Sequence, residues 1–112
     1  MTDEVRVVLL TAPDLDVARE LGRRLVEEKL AACVNIVPGL TSIFHWDGEV
    51  QDQSEVLLVL KTTDSVVGAL VERAASLHPY DVPEVLALPA VEGYGPYLDW
   101  VRSEVGAERQ GV

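Results

Sequence analysis

Apolar and polar positions alternate in blocks with different periods along the chain. Val5 to Leu10 is rich in β-branched and aliphatic residues and stops at Thr11-Ala12-Pro13, as a strand running into a break does. Asp14 then stands where a helix N-cap belongs, with Asp16 and Glu20 at the positive helix start. Val17, Leu21 and Leu25 recur every fourth residue, with Ala18 and Gly22 beside them and charged residues opposite. This spacing predicts an amphipathic helix over 14–29. A second strand is expected over 32–37, broken at Pro38-Gly39 by a bend or bulge and resuming from Leu40 to Trp46. Asp47-Gly48 between two extended segments marks a hairpin turn, because glycine tolerates positive φ. The return strand starts near Glu49 with a polar stretch of Gln51, Asp52, Gln53 and Glu55. It ends in the apolar run Val56 to Leu60, which predicts burial on both faces.

Thr62-Thr63-Asp64 is read as the cap of a second helix, with Val66, Val67, Leu70, Val71, Ala74 and Leu77 as its stripe. Pro79 ends it, since proline disfavours helix at His78. Glu84 to Leu88 predicts a short strand closed by Pro89, and Gly95-Pro96 opens a third helix carrying Tyr97, Leu98, Val101 and Val105. The two halves share a plan: Pro38 lies 24 residues beyond Asp14, and Pro89 lies 25 beyond Asp64. Two βαβ units in series define an α+β, ferredoxin-like arrangement, with both helices on one face of an antiparallel sheet. The third helix covers part of the other face and leaves the rest for a neighbouring subunit. A hairpin this long in so small a chain also points to oligomerisation.

Composition narrows the function. At 112 residues the chain forms one domain, with its core over 5–105 and a frayed tail over 106–112. Nine basic against nineteen acidic residues give a net charge of −10. Without a basic cluster, nucleic acid is not an expected partner. A single cysteine cannot close an internal disulfide. The acidic start and the short apolar runs predict neither a secretion signal nor a membrane span, so a cytoplasmic protein is expected. The negative charge reads either as solubility or as attraction for cations.

Few residues carry candidate chemistry. Cys33, between small and apolar neighbours, reads as a buried structural thiol before a nucleophile or soft-metal ligand. His78 stands at a helix C-terminus, where the dipole favours its protonated form. With Tyr80, Asp81 and Glu84 it places an imidazole, a phenol and two carboxylates on one proline-restrained loop. That loop reads equally as a binding platform or as a rigid turn after a capping histidine. His45 and Trp46 flank the hairpin tip, Trp46 as a subunit anchor or a cross-strand contact. Tyr94, Tyr97 and Trp100 read as helix-packing surface. No CxxC, GxSxG or glycine-rich phosphate loop occurs.

Six segments in order carry a family resemblance: Thr11-Ala12-Pro13-Asp14, Glu28 to Asn35, Ser42 to Glu49, Leu60-Lys61-Thr62, His78 to Glu84 and Tyr97 to Trp100. Together they resemble the divalent-cation tolerance (CutA) family. The resemblance implies a homotrimer similar in architecture to the PII signalling proteins, no enzymatic reaction, and a role in tolerance of copper and other divalent cations. It implies copper ligands at a Cys before Thr-Ala-Pro and at two His before Pro-Tyr. Here those positions hold Leu10, Leu77 and His78, and leucine has no lone pair to donate. His78, Asp81 and Glu84 therefore remain as metal-ligand candidates for weak or conditional binding of copper or another divalent cation. The alternative is a PII-like small-molecule sensor, whose inter-subunit cleft would use Lys61, Tyr80, Glu84, Trp46 and Cys33.

Overall fold

The elements follow the order β1 (Val5–Ala12), α1 (Leu15–Glu27), β2 (Cys33–Trp46), β3 (Glu49–Thr63), α2 (Asp64–Leu77), β4 (Val85–Pro89) and α3 (Gly95–Glu104). The computed structural model describes residues 3–106. The strands form one antiparallel sheet in the order β2-β3-β1-β4, the arrangement expected of two interlocked βαβ units.

α1 begins where Asp14 accepts a hydrogen bond from the Val17 N–H at 2.9 Å. It buries Ala18, Leu21, Gly22 and Leu25 against the sheet. α2 buries Val66, Leu70 and Ala74. Under both helices lie Val8 and Leu10 of β1 with Val56, Leu58 and Leu60 of β3, and this layer is the core. β-strand alternation puts Val7 and Leu9 on the opposite face. Across the sheet they meet Leu88 and Leu86 of β4 and Lys61 and Val59 of β3. α3 packs at one end of that second face, where the Tyr97 hydroxyl reaches the Cys33 thiol at 3.5 Å.

Several local expectations change. The bulge expected at Pro38-Gly39 is present as a register shift between Val37 and Leu40, with Gly39 at φ 86°, but β2 continues through it as one strand. In the run Val56 to Leu60, only Val56, Leu58 and Leu60 are fully buried, while Leu57 and Val59 are half-buried, because α3 covers only one end of their face. Thr62 and Thr63 extend β3 and do not cap α2 with their side chains. The buried Thr62 hydroxyl donates instead to the Leu30 carbonyl at 2.8 Å. The α2 start is satisfied from outside: the Glu4 carbonyl accepts the Asp64 N–H, and the Asp3 carboxylate accepts the Ser65 N–H and hydroxyl. Burial acts to raise the Asp3 pKa, but the bonds from Ser65 outweigh it and hold the carboxyl below its ordinary value. Gly106, placed in the loose tail from sequence, is buried and donates its N–H to the Lys29 carbonyl at 2.8 Å; residues 107–112 lie outside the described range.

Candidate functional site

The hairpin β2–β3 projects beyond the end of β1, and the 78–84 loop folds beside its base. Asp47 and Gly48 both have positive φ, 56° and 79°, which is what a two-residue turn between twisted strands requires. Between hairpin and loop lies a cleft of about 370 Å³, lined by Phe44, Trp46, Gln51 and Gln53 on one side and Tyr80, Asp81 and Val82 on the other.

The loop is held by a chain of hydrogen bonds. The ring of His78, 7% exposed, has Nε2 at 2.7 Å from the Thr11 carbonyl oxygen. Its Nδ1 accepts the Tyr80 N–H at 3.1 Å. The Tyr80 ring lies 4.8 Å from the imidazole, centroid to centroid. Its hydroxyl donates to Glu55 Oε2 at 3.0 Å. Burial, then the bond to Glu55 and the charges of Glu55 and Asp14, push the Tyr80 phenol up to about 12.

Glu55 was grouped by sequence with the polar hairpin tip, yet it is 7% exposed. Its position directly before the buried run was the available signal, since the strand enters the core there.

The sequence-derived candidates fall into separate places. Trp46, Tyr80 and Asp81 line the cleft. Glu84 is exposed beyond it. Lys61 and Cys33 are cross-strand partners elsewhere on the second sheet face, so one chain does not bring them to Trp46 and Tyr80. The Lys61 ammonium donates to the Asn35 side-chain carbonyl. Cys33 is half-buried, not enclosed as expected, and the Tyr97 hydroxyl of α3 reaches its thiol. That bond, then burial, pushes the Tyr97 phenol up to about 12. Tyr94 is exposed, and Tyr97 and Trp100 keep much of their surface exposed although Tyr97 reaches Cys33, while Val101 of the same helix is fully buried. His78 is the C-cap residue of α2, as one of its two readings had it, and its imidazole is buried.

The copper position of the family can be tested on these residues. Leu10 is fully buried in the core and Leu77 packs against it, so two of three positions offer only carbon. The third, His78, has both ring nitrogens engaged. Among the described residues, no group of three or more His, Cys, Asp or Glu stands close enough to hold a metal ion. Copper does not fit at this position.

A four-stranded α+β sheet with a long hairpin and a clasped His-Pro-Tyr loop defines the class. The sequence model of the family described as "CutA1 divalent ion tolerance protein" matches residues 6–104, and the chain belongs to that family. It is 57% identical over 100 residues to the divalent-cation tolerance protein CutA of Thermus thermophilus, covering 89% of this chain and 97% of that one. It is 49% identical over 98 residues to the human protein CutA, covering 88% of this chain and 55% of the human one. Among solved structures, the Thermus thermophilus protein superposes with TM-score 0.88 at 56% identity, over 91% of this chain and 99% of that one. CutA1 from Oryza sativa superposes with TM-score 0.89 at 44% identity, over 93% and 95%. No helix of the described residues is long and apolar enough to cross a membrane.

Proposed function

We propose that this chain is a non-enzymatic divalent-cation tolerance protein that acts as a homotrimer and meets cations weakly, at exposed carboxylates. The single observation that carries assembly is the uncovered second face of the sheet. On its edge strand Leu86 and Leu88 are 56% and 46% exposed, side by side with the half-buried Leu9 and Val59. Contiguous exposed apolar surface of this kind marks a site of association. The number three rests on the family resemblance.

The net charge of −10 supports cation accumulation near the surface, as a diffuse and salt-sensitive effect. Sedimentation velocity at micromolar concentration tests the assembly: a trimer is expected, and a stable folded monomer overturns the reading. Equilibrium dialysis with Cu²⁺ and Zn²⁺ tests the cation contact. Weak binding that fades with added salt is expected. Tight, stoichiometric binding that survives high salt overturns it.

A further inference from the structure

We infer that His78 is a positioning residue that clasps the 78–84 loop onto the sheet, and that divalent cations in this chain do not use it as a ligand. The inference goes beyond the proposed trimer and stands or falls separately from it.

An imidazole has two nitrogens, and here each faces a group with one possible role. The Thr11 carbonyl can only accept, so Nε2 carries the proton. The Tyr80 amide can only donate, so the Nδ1 lone pair is taken. A metal binds the lone pair of a ring nitrogen. Offering Nδ1 displaces the Tyr80 amide, and offering Nε2 moves the proton to Nδ1, which breaks both bonds. Either way the Tyr80 amide loses its partner, and in the second case the carbonyl of buried Thr11 does too, at the cost of an unmade hydrogen bond.

The same two bonds have a structural consequence. The ring joins the end of β1 to the start of the loop, and Tyr80 carries the connection on to buried Glu55 of β3. Held through His78 and Tyr80, the loop presents Tyr80, Asp81 and Val82 as one wall of the cleft. His78 therefore shapes the cleft through Tyr80 without lining it. Two prolines, Pro79 and Pro83, lower the entropy lost when the loop is fixed. A ligand role would need companions, and the flanking positions Leu10 and Leu77 supply none.

The decisive measurement is a long-range ¹H–¹⁵N correlation spectrum of the full chain during a Zn²⁺ titration. The His78 ring is expected to show the Nε2–H tautomer and to stay in place in excess Zn²⁺, while the exposed hairpin residue His45 serves as the responsive control. The variants H78Q and H78L extend the test. Glutamine keeps an N–H donor and an oxygen acceptor but is a poor metal ligand. H78Q is therefore expected to melt closer to wild type than H78L and to bind Cu²⁺ and Zn²⁺ with wild-type stoichiometry in dialysis. Movement of the His78 ring signals with Zn²⁺, or loss of one bound equivalent in H78Q, overturns the assignment. Equal melting of H78Q and H78L overturns the clasp. If H78L does not fold, the wild-type spectra and H78Q still decide. Sedimentation of the same samples reports the trimer independently, so failure of one reading is visible apart from the other.

Discussion

Lys29 holds a backbone conformation that glycine would hold more cheaply. It has φ 64° at the end of α1, where the Leu30 N–H turns back to the Leu25 carbonyl. A left-handed residue with a Cβ costs on the order of 1 kcal/mol, which glycine avoids. Lys29→Gly is therefore expected to raise stability by about 1 kcal/mol, read as a higher urea midpoint at unchanged slope. The tyrosines make a second test at this scale. Tyr80 is raised to about 12 by burial and Glu55, and Tyr97 to about 12 by its bond to Cys33 and burial. Both folded values lie above the unfolded value of about 10. Their contribution to stability is thus complete below pH 10 and disappears as pH rises through about 12. An ultraviolet titration of the folded protein should show Tyr80 and Tyr97 ionising late, and Tyr80→Phe should remove one late step. Ionisation of Tyr80 and Tyr97 near pH 10 would contradict both environments.

Among the elements, the contact of α1 with β2 is the least forgiving. A Cβ at Gly22 would stand 2.8 Å from Val34 Cγ1. Valine is stiff about χ1 and cannot step aside cheaply, so the helix would have to lift from the sheet. Overpacking of this kind costs about 1–3 kcal/mol, against about 1 kcal/mol gained in helix propensity. Gly22→Ala should lower stability by about 1 kcal/mol in urea unfolding, although the same change in an exposed helix would raise it. The hydrophobic stripe of α1 already placed Gly22 on the inner face, and the 3.6-residue period made the helix legible. What could not be read was the distance to Val34, because it depends on how β2 crosses beneath. The cap of α2 was hidden for a similar reason. Thr62 and Thr63 are the local types that cap helices, but the strand claimed their backbones, and Asp3 supplies the cap from the far end of the sequence. Turn chemistry at Asp47-Gly48 and the bulge at Pro38-Gly39 are local, and both were legible. The clasp joins Thr11, Glu55, His78 and Tyr80 from three segments, so spacing alone showed the loop and not its lock.

At the scale of the whole molecule the sheet has one covered and one largely uncovered face, and the trimer proposal turns on the second. Leu86 and Leu88 lie opposite Leu9 and Val7 of β1, so all four point to that face and away from the Val8 and Leu10 core. β4 is an edge strand, and charges on an edge strand are a common means of preventing association. The double variant Leu86→Asp, Leu88→Asp leaves the helix-covered core intact while setting carboxylates where subunits would meet. In an assembled molecule folding and association are linked, so the wild-type melting temperature should rise with protein concentration. The variant should sediment as a monomer, melt at a lower temperature and lose that concentration dependence. Retention of the wild-type sedimentation coefficient would place the subunit contact elsewhere, such as on the projecting hairpin, whose strands run beyond β1 and leave edges that a second chain could pair.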